Sequence, residues 1–204
     1  LPNWIAPSVL PLFVVMVIYW EAEYRAGAPQ VLPSLVSGVS LGLVAVLLLC
    51  DTDLIGKLTR RPLPVNIDPL NRVRAWSSTA RAVGEARERL LQEGKPVFII
   101  GAHYGITSLV SFYLPEANAA ATAKQPVVDY QTTTQPDNQF YFWPGYTMRK
   151  GENAIYIAQV RNPKPVPAQV ASQFESITEL PEQPVIYRGR VLRQLKLYEC
   201  RNLR

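Results

Sequence analysis

The stretch PVFIIGAHYGITSLVSFYLP, residues 96–115, joins a short apolar run to a longer segment that stops at a proline. A continuous apolar run of this length is typical of a strand that is buried on both faces of a sheet. We therefore predict a strand over 96–101 and a helix over 104–114, which Pro115 ends. A strand followed directly by a helix is the unit from which α/β proteins are built.

The residues on both sides extend this unit into a small domain. Asp68 and Pro69 predict the start of a long helix, because Asp is a favoured N-cap residue and Pro fits the first helical position. We expect that helix to end at Gly94. Further strands are predicted over 119–123, 154–160, 173–180, 184–188 and 191–200. The fold class predicted for residues 68–204 is α/β, a small sandwich with a mixed sheet.

Two apolar runs without a charged residue precede this domain, at 4–20 and 31–50. Each is close to the roughly 20 residues that a helix needs to cross the hydrocarbon core of a bilayer. Because the link between the runs is short, residues 1–54 are predicted to form two antiparallel N-terminal transmembrane helices, which a proline-rich linker over 55–67 connects to the domain. The chain opens LPNW, without an initiator Met or a basic residue, so we expect a segment of a longer protein and not a signal peptide.

Small residues recur at every fourth position of the second run, at Ser34, Gly38 and Gly42. Such a stripe lets another helix approach closely, which predicts packing against further transmembrane helices. The alternative is that the stripe has no special role, because small residues are common in any transmembrane helix.

The basic residues are distributed unevenly along the chain. Of the 21 Lys and Arg residues only Arg25 precedes Asp51, and of the 16 acids only Glu21 and Glu23 do, so the 20 bases and 14 acids that remain give the rest of the chain a charge of +6. This charge indicates either a solvated surface or contact with anionic lipid head groups or phosphate. By the positive-inside rule it favours a cytoplasmic domain, although that rule is weak for long domains. No nucleic-acid-binding motif accompanies the charge, so no nucleic-acid partner is expected.

Four segments of the domain, taken in order, carry a resemblance to a known family. They are DPLNRVRAWSSTARAV (68–83), GAHYGITSLVSFYLPEAN (101–118), DNQFYFWPGYTMRKGENAIYIAQ (137–159) and VLRQLKLYECRNL (191–203). Together they resemble the C-terminal domain of bacterial integral-membrane glycosyltransferases. These are the family 39-like members of the GT-C superfamily, related to protein O-mannosyltransferases and the lipid A aminoarabinose transferase. PNWIAP (2–7) resembles the motif that opens a late transmembrane helix in that family.

The resemblance implies the C-terminal portion of a multi-pass enzyme of the bacterial inner membrane. Such an enzyme takes a sugar from a polyprenyl-phosphate donor and passes it to a glycan, lipid or protein acceptor outside the cytoplasm. The family's C-terminal domain is extracytoplasmic, or periplasmic, which opposes the orientation that the charges favour. Its catalytic carboxylate lies in an N-terminal loop without a counterpart here, so no catalytic residue is assigned and this portion alone is expected to be inactive. The implied partners are the donor, the acceptor, membrane lipid and the remaining transmembrane helices.

Residues 138–143 match the family's pattern of Asn-Gln-aromatic-x-hydrophobic-Trp. Aromatic faces with flanking amides commonly hold sugar rings by stacking and hydrogen bonding. The candidate substrate-binding residues are His103, Tyr104, Asn138, Gln139, Tyr141 and Trp143. The alternatives are that the aromatic residues pack the loop onto the sheet, and that His103 is a surface or capping residue. Relatives tend to carry Asp-Arg where this chain has Ala102 and His103, and often an acid in place of Tyr141.

The sequence identifies no metal ligands. His103 is the only histidine, and Cys50 and Cys200 lack the spacing of a metal site. The cofactor is therefore left open: a divalent metal would suit the full-length enzyme, and no ligands for one are identified in this chain.

Two other functions are alternatives to the transferase. A hydrolase would need a set such as Ser108 or Ser111 with His103 and Asp129, but the G-x-S-x-G elbow of hydrolases is missing. The main alternative to the transferase is a non-catalytic, membrane-anchored binding or scaffold domain, which the lack of an acid-base set also fits.

Overall fold

The computed structural model describes residues 6–136, 138–158 and 165–204. The chain divides into two compact units, Leu1–Leu70 and Asn71–Arg204. The described part of the first unit is helical, and the second unit holds both β-sheets.

Two long helices form most of the first unit. α1 (Ala6–Arg25) continues past Trp20, where the first apolar run ends, and a Glu21–Arg25 ion pair of 2.6 Å supports its last turn. α2 (Val31–Cys50) coincides with the second apolar run, and nearly all of its side chains are exposed. Among the described residues, α2 is the one helix that is long and apolar enough to cross a membrane, with a mean hydropathy of 2.3. A second spanning helix stays a prediction.

A short helix, α3 (Asp53–Thr59), occupies part of the segment in which a proline-rich linker is predicted. The Thr52 hydroxyl before it donates to Asp68 Oδ1 at 2.8 Å. The same carboxylate oxygen accepts from the Leu70 backbone N–H at 2.9 Å. Asp68 therefore caps a 3₁₀ turn over Pro69–Arg72 and not the long helix that the sequence predicts from this point.

The long helix of the second unit begins later than predicted. α4 (Trp76–Leu91) starts at Trp76 because the preceding residue, Ala75, has a left-handed backbone with a φ of 57°. The helix ends shortly before Gly94, whose φ of 82° suits the glycine expected there. Val73 falls within the helix that the sequence predicts from Asp68, but it lies before α4 and is 63% exposed.

A five-stranded mixed sheet forms the centre of the second unit. In chain order its strands are β1 (Val97–Gly101), β2 (Val128–Tyr130), β3 (Asn153–Ile157), β4 (Phe174–Glu179) and β7 (Leu197–Leu203). Their spatial order is β2-β1-β3-β7-β4. β1 pairs in parallel with β2 and β3, whereas β7 pairs antiparallel with β3 and β4. The remaining strands, β5 (Gln183–Tyr187) and β6 (Arg190–Leu195), form a separate hairpin.

Two of the predicted strands are wrong. Residues 119–123 form the end of α6 (Pro115–Ala119) and a turn, because Pro115 fits the first position of a helix and alanine favours helix. The strand predicted over 191–200 is two strands that separate at Lys196, since β6 pairs with β5 while β7 inserts between β3 and β4. Residues 159 and 160, at the end of the strand predicted over 154–160, lie outside the described residues.

The sheet has a core on each face. Alternate residues of β1 supply both cores: Val97 and Ile99 face α4 and α5 (Tyr104–Tyr113), while Phe98 and Ile100 pack on the opposite face. That second face is covered by buried side chains that include Tyr146 and by the short helix α7 (Ala168–Ala171). The α/β class and the mixed sheet predicted from the sequence are therefore confirmed.

Candidate functional site

A cleft of about 400 Å³ lies beside β2 and α5 in the second unit. We call it the aromatic cleft. Among the side chains that line it are Ser108, Ser111, Lys124, Asp129, Phe140 and Trp143. With Tyr130, which also lines it, the cleft combines hydroxyl groups, one cation, one carboxylate and three aromatic rings in one concave surface. This is the combination by which proteins fix the orientation of small polar ligands.

A single 3₁₀ turn presents the aromatic wall of this cleft. The side-chain oxygen of Asn138 accepts from the Phe140 N–H at 3.0 Å and caps the turn over Gln139–Phe142. The ring of Phe140 lies 5.6 Å from that of Tyr130 on β2 and 4.7 Å from that of Trp143, measured between centroids. Phe140 is therefore anchored to the sheet, while Trp143 remains 55% exposed at the cleft.

Asp129 supplies the carboxylate of the cleft from within β2. Its side chain is only 6% exposed, and Oδ2 lies 3.5 Å from Arg149 Nη1. The guanidinium of Arg149 also pairs with Glu152 at 2.8 Å and lies over the Phe98 ring. Burial raises the pKa of Asp129 to about 6, and the attraction of Arg149 offsets only part of that rise.

The other carboxylate oxygen of Asp129, Oδ1, is available as a hydrogen-bond acceptor. Among the described residues, hydrogen bonds and ion pairs reach Asp129 through Oδ2 alone, so no side chain satisfies Oδ1. A carboxylate oxygen accepts hydrogen bonds readily, and this one borders a cleft. Asp129 can therefore accept from a hydroxyl group of a bound ligand.

A second cavity, of about 500 Å³, lies where α4 and α5 begin and β6 passes. We call it the arginine cavity. Its lining includes Arg72, Trp76, His103, Tyr104, Leu192 and Arg193. It shares none of the side chains that line the aromatic cleft.

His103 is the N-cap of α5, as the alternative interpretation of this residue predicts. Its Nδ1 accepts from the Gly105 N–H at 3.1 Å, so in the neutral ring the proton is on Nε2. Burial lowers the pKa of His103, which favours this neutral form. The imidazole therefore holds the first turn of the helix and retains one N–H donor.

Replacing His103 tests its capping role. His103→Ala removes the side-chain acceptor of the Gly105 N–H, so we expect it to lower the free energy of unfolding by about 1 kcal/mol. His103→Asn keeps a favourable cap and should change the value by a few tenths at most. Denaturant unfolding of the chain in detergent measures both. An equal loss in the two variants would show that capping is not the role of the ring.

The six predicted substrate-binding residues do not form one site. Trp143 lines the aromatic cleft, whereas His103 and Tyr104 line the arginine cavity. Asn138 acts through its cap, Tyr141 packs edge-on against the ring of Phe142, and Gln139 is exposed on the turn.

The same geometry separates the hydrolase set. Ser108, Ser111 and Asp129 border the aromatic cleft, but His103 borders the other cavity. A serine hydrolase requires its histidine within hydrogen-bond reach of both the nucleophile and the acid. The arrangement therefore does not form such a triad.

Sequence reasoning assigned no binding role to the charged residues in and around these two sites. It considered Asp129 only as part of a hydrolase set, and it passed over Arg149 and Arg193. Asp129 carried a usable signal, because it is a lone acid within the apolar segment PVVDY (126–130). Arg193 carried none, since its partners are backbone carbonyls 122 and 119 positions earlier and the Trp76 ring. Arg149 has one nearby partner, Glu152, but its contacts with Pro126 and Asp129 come from 23 and 20 positions earlier.

The comparisons with known proteins identify no relative of this chain. Comparison of the chain with protein-family models, curated proteins and solved structures finds no match. Within the part of the chain that the structure describes, no group of three or more His, Cys, Asp or Glu side chains is placed to hold a metal ion. The fold and the sites define an α/β domain that carries an aromatic, carboxylate-containing cleft.

Proposed function

We propose that this chain is the C-terminal portion of a bacterial integral-membrane glycosyltransferase, and that the aromatic cleft binds the sugar acceptor. The sequence resemblance supplies the reaction class. The observation that carries the acceptor-binding role is the position of Trp143 and the buried Asp129 on one cleft. A sugar ring needs both kinds of group, because its C–H face stacks on aromatic rings while its hydroxyls require hydrogen-bond partners.

The cleft offers partners for several hydroxyls of one ring. Asp129 Oδ1 accepts from a hydroxyl, and the Ser108 and Ser111 hydroxyls both donate and accept. Lys124, at the rim, donates only. Four polar groups beside the exposed face of Trp143 match a monosaccharide unit better than a flat apolar ligand, which would leave Asp129 Oδ1 without a hydrogen-bond partner.

The apolar helix supports the membrane part of the proposal. α2 has 20 residues without a charge, and its side chains are almost all exposed. Exposure of a whole apolar helix is costly in water and favourable in lipid. A polyprenyl-phosphate donor stays in the membrane, so its transferase must present the acceptor there. The proposal includes a second transmembrane helix at α1, and an inner-membrane location with Asn71–Arg204 outside the cytoplasm.

In the proposed reaction, this portion of the enzyme binds the acceptor. The bond between the anomeric carbon of the sugar and the phosphate oxygen breaks, and a bond to the acceptor hydroxyl oxygen forms. The hydroxyl proton passes to a base, and the polyprenyl phosphate leaves with the electron pair of the broken bond. We place the base and the phosphate-stabilising groups in the remainder of the enzyme, so the aromatic cleft contributes through acceptor affinity.

The test compares two neighbouring aromatic residues in the full-length protein. Trp143→Ala removes the exposed ring of the cleft, so we expect kcat/KM for the acceptor to fall about tenfold, mainly through a higher KM. Phe142→Ala is the matched control, because this ring is 76% exposed and does not line the cleft. The assay follows transfer from a panel of undecaprenyl-phosphate-linked sugars in membranes that carry equal amounts of each variant.

The outcomes separate the transferase from the scaffold. Transfer that falls with Trp143→Ala and is unchanged with Phe142→Ala supports the proposal. If the two variants transfer sugar equally well, the acceptor does not bind in the aromatic cleft. No transfer by the unmodified protein with any donor favours the non-catalytic binding or scaffold domain.

A further inference from the structure

The arginine cavity contains a buried cation that the proposed acceptor site does not explain. Arg193, on β6, is only 9% exposed. Its Nη2 donates to the backbone carbonyls of Asn71 at 2.8 Å and Arg74 at 2.6 Å, and its guanidinium lies 4.6 Å from the centre of the Trp76 ring. Two carbonyls and an aromatic face stabilise a cation only in part, because none of them carries a negative charge.

No acid of the described chain compensates this charge. Among the described residues, no carboxylate lies within 4.0 Å of a nitrogen of Arg193, and none lines the cavity. Burial lowers the pKa of Arg193, which reflects the cost of keeping the charge out of water. An arginine nevertheless stays protonated in proteins. A buried guanidinium without a counter-charge is a position at which an anion binds favourably.

Two further donors border the same cavity. Arg72 is an exposed residue at its rim, and no ion pair links it to an acid of the described residues. His103 contributes the Nε2–H that its capping role leaves available. The first turn of α5 adds the positive end of a helix dipole, although His103 already occupies the Gly105 N–H.

The remaining walls of the cavity are mainly apolar. Trp76, Ile106, Leu109 and Leu192 form the apolar part, beside the polar side chains of Asn71 and Tyr104. The volume of about 500 Å³ exceeds what a bare ion fills. We infer that the arginine cavity binds the phosphate group of a phosphate monoester whose organic part lies against these apolar walls. Phosphate fits better than carboxylate, because two guanidinium groups and an imidazole N–H match the three terminal oxygens of a monoester.

Arg193 also has a structural role, and the two roles are separable. Its bonds to Asn71 and Arg74 attach the β5–β6 hairpin to the segment before α4, and they use Nη2 alone. Loss of Arg193 would therefore disturb the fold as well as the cavity. Arg72 has no such bonds among the described residues, so Arg72→Gln removes a cation of the cavity and leaves the packing intact.

The experiment measures phosphate binding to the full chain in phosphatidylcholine nanodiscs. Glucose 6-phosphate and inorganic phosphate are titrated by calorimetry, with glucose as the uncharged control. We expect glucose 6-phosphate to bind, and Arg72→Gln to weaken that binding about tenfold. Arg190→Gln is the matched control, because Arg190 begins the same strand as Arg193 but does not line the cavity. His103→Asn, which keeps the helix cap, should also weaken binding.

A second arm identifies the source of the phosphate group. Discs that contain phosphatidic acid or undecaprenyl phosphate are titrated with the same glucose 6-phosphate. If the lipid competes in the unmodified chain and not in Arg72→Gln, the site takes a lipid head group. If only soluble phosphates bind, it takes a soluble phosphate ester. Equal binding of every phosphate to the unmodified chain and Arg72→Gln, or binding to neither, would overturn the inference. Because no sugar transfer is measured, this result is independent of the acceptor site.

Discussion

Replacing Gly101 with alanine is expected to destabilise the second unit more than alanine at any of its other glycines. Gly101 is the last residue of β1, and the first turn of α5 crosses it closely. A Cβ there would collide with the Thr107 hydroxyl and lie 3.0 Å from the Thr107 backbone nitrogen and 3.2 Å from its Cα. Backbone atoms of a helix cannot move aside cheaply, so we expect a loss of about 3 kcal/mol in the free energy of unfolding.

Denaturant unfolding followed by near-ultraviolet circular dichroism measures this loss. Gly145→Ala is the matched control, because a Cβ at Gly145 meets no atom within 4 Å and its φ is −83°. It should change the free energy of unfolding by less than about 0.5 kcal/mol. Similar values for the two variants would show that α5 does not pack on β1 as closely as described. The contact matters for function because α5 carries His103 to one cavity and Ser108 to the other.

The second large effect concerns the dependence of stability on pH. Burial raises the pKa of Asp129 from its ordinary value near 4 to about 6 in the folded chain. The folded state therefore binds this proton more tightly than the unfolded state does. Stability from this group is fully present below pH 4 and is lost as the pH rises through 6. A difference of two pKa units corresponds to about 3 kcal/mol.

Asp129→Asn isolates this contribution, because the amide has nearly the same shape and does not titrate. We expect the unmodified chain to lose about 3 kcal/mol relative to Asp129→Asn between pH 3 and pH 8. The groups that face Asp129 are Arg149, Glu152 and Tyr146, and all three are unchanged in the variant. Unfolding curves at several pH values give the difference. A constant difference across this range would contradict the assigned environment of Asp129.

Because ionised Asp129 destabilises the chain at neutral pH, its presence calls for an explanation other than stability. Replacing a buried ion pair by apolar groups is often neutral or stabilising, so Asp129 is poorly explained by stability. A carboxylate whose Oδ1 is open to a cleft is explained by ligand binding. The pH dependence and the proposed acceptor site are therefore two consequences of the same buried side chain.

The local part of the fold was predictable because it is encoded by adjacent residues. The apolar run of β1, the proline after α5 and the glycine after α4 each act within a few positions of themselves. Val128–Tyr130 was missed because an edge strand of three residues has too few residues to show a pattern. The division of residues 191–200 at Lys196 was missed because both halves favour strand, and only their partners in two different sheets separate them.

The sites were less predictable, because their residues come together from distant positions of the chain. Motif reasoning selected Trp143 and Asn138 together as substrate-binding residues, but only Trp143 lines a cleft, whereas Asn138 caps the turn before it. It grouped His103 with them, although the crossover after β1 places His103 at a different cavity. Arg193 bonds to carbonyls 122 and 119 positions earlier in the chain, a distance over which no local pattern operates.

The most direct test of the acceptor site is saturation-transfer difference NMR on the full chain in nanodiscs with a panel of neutral mono- and oligosaccharides. We expect saturation of the ring C–H protons of at least one sugar by the unmodified chain and by Phe142→Ala. We expect loss of that signal in Trp143→Ala, because Trp143 is the most exposed of the aromatic rings that line the aromatic cleft. An undiminished signal in Trp143→Ala, or no signal from any sugar of the panel, would contradict the proposed acceptor site.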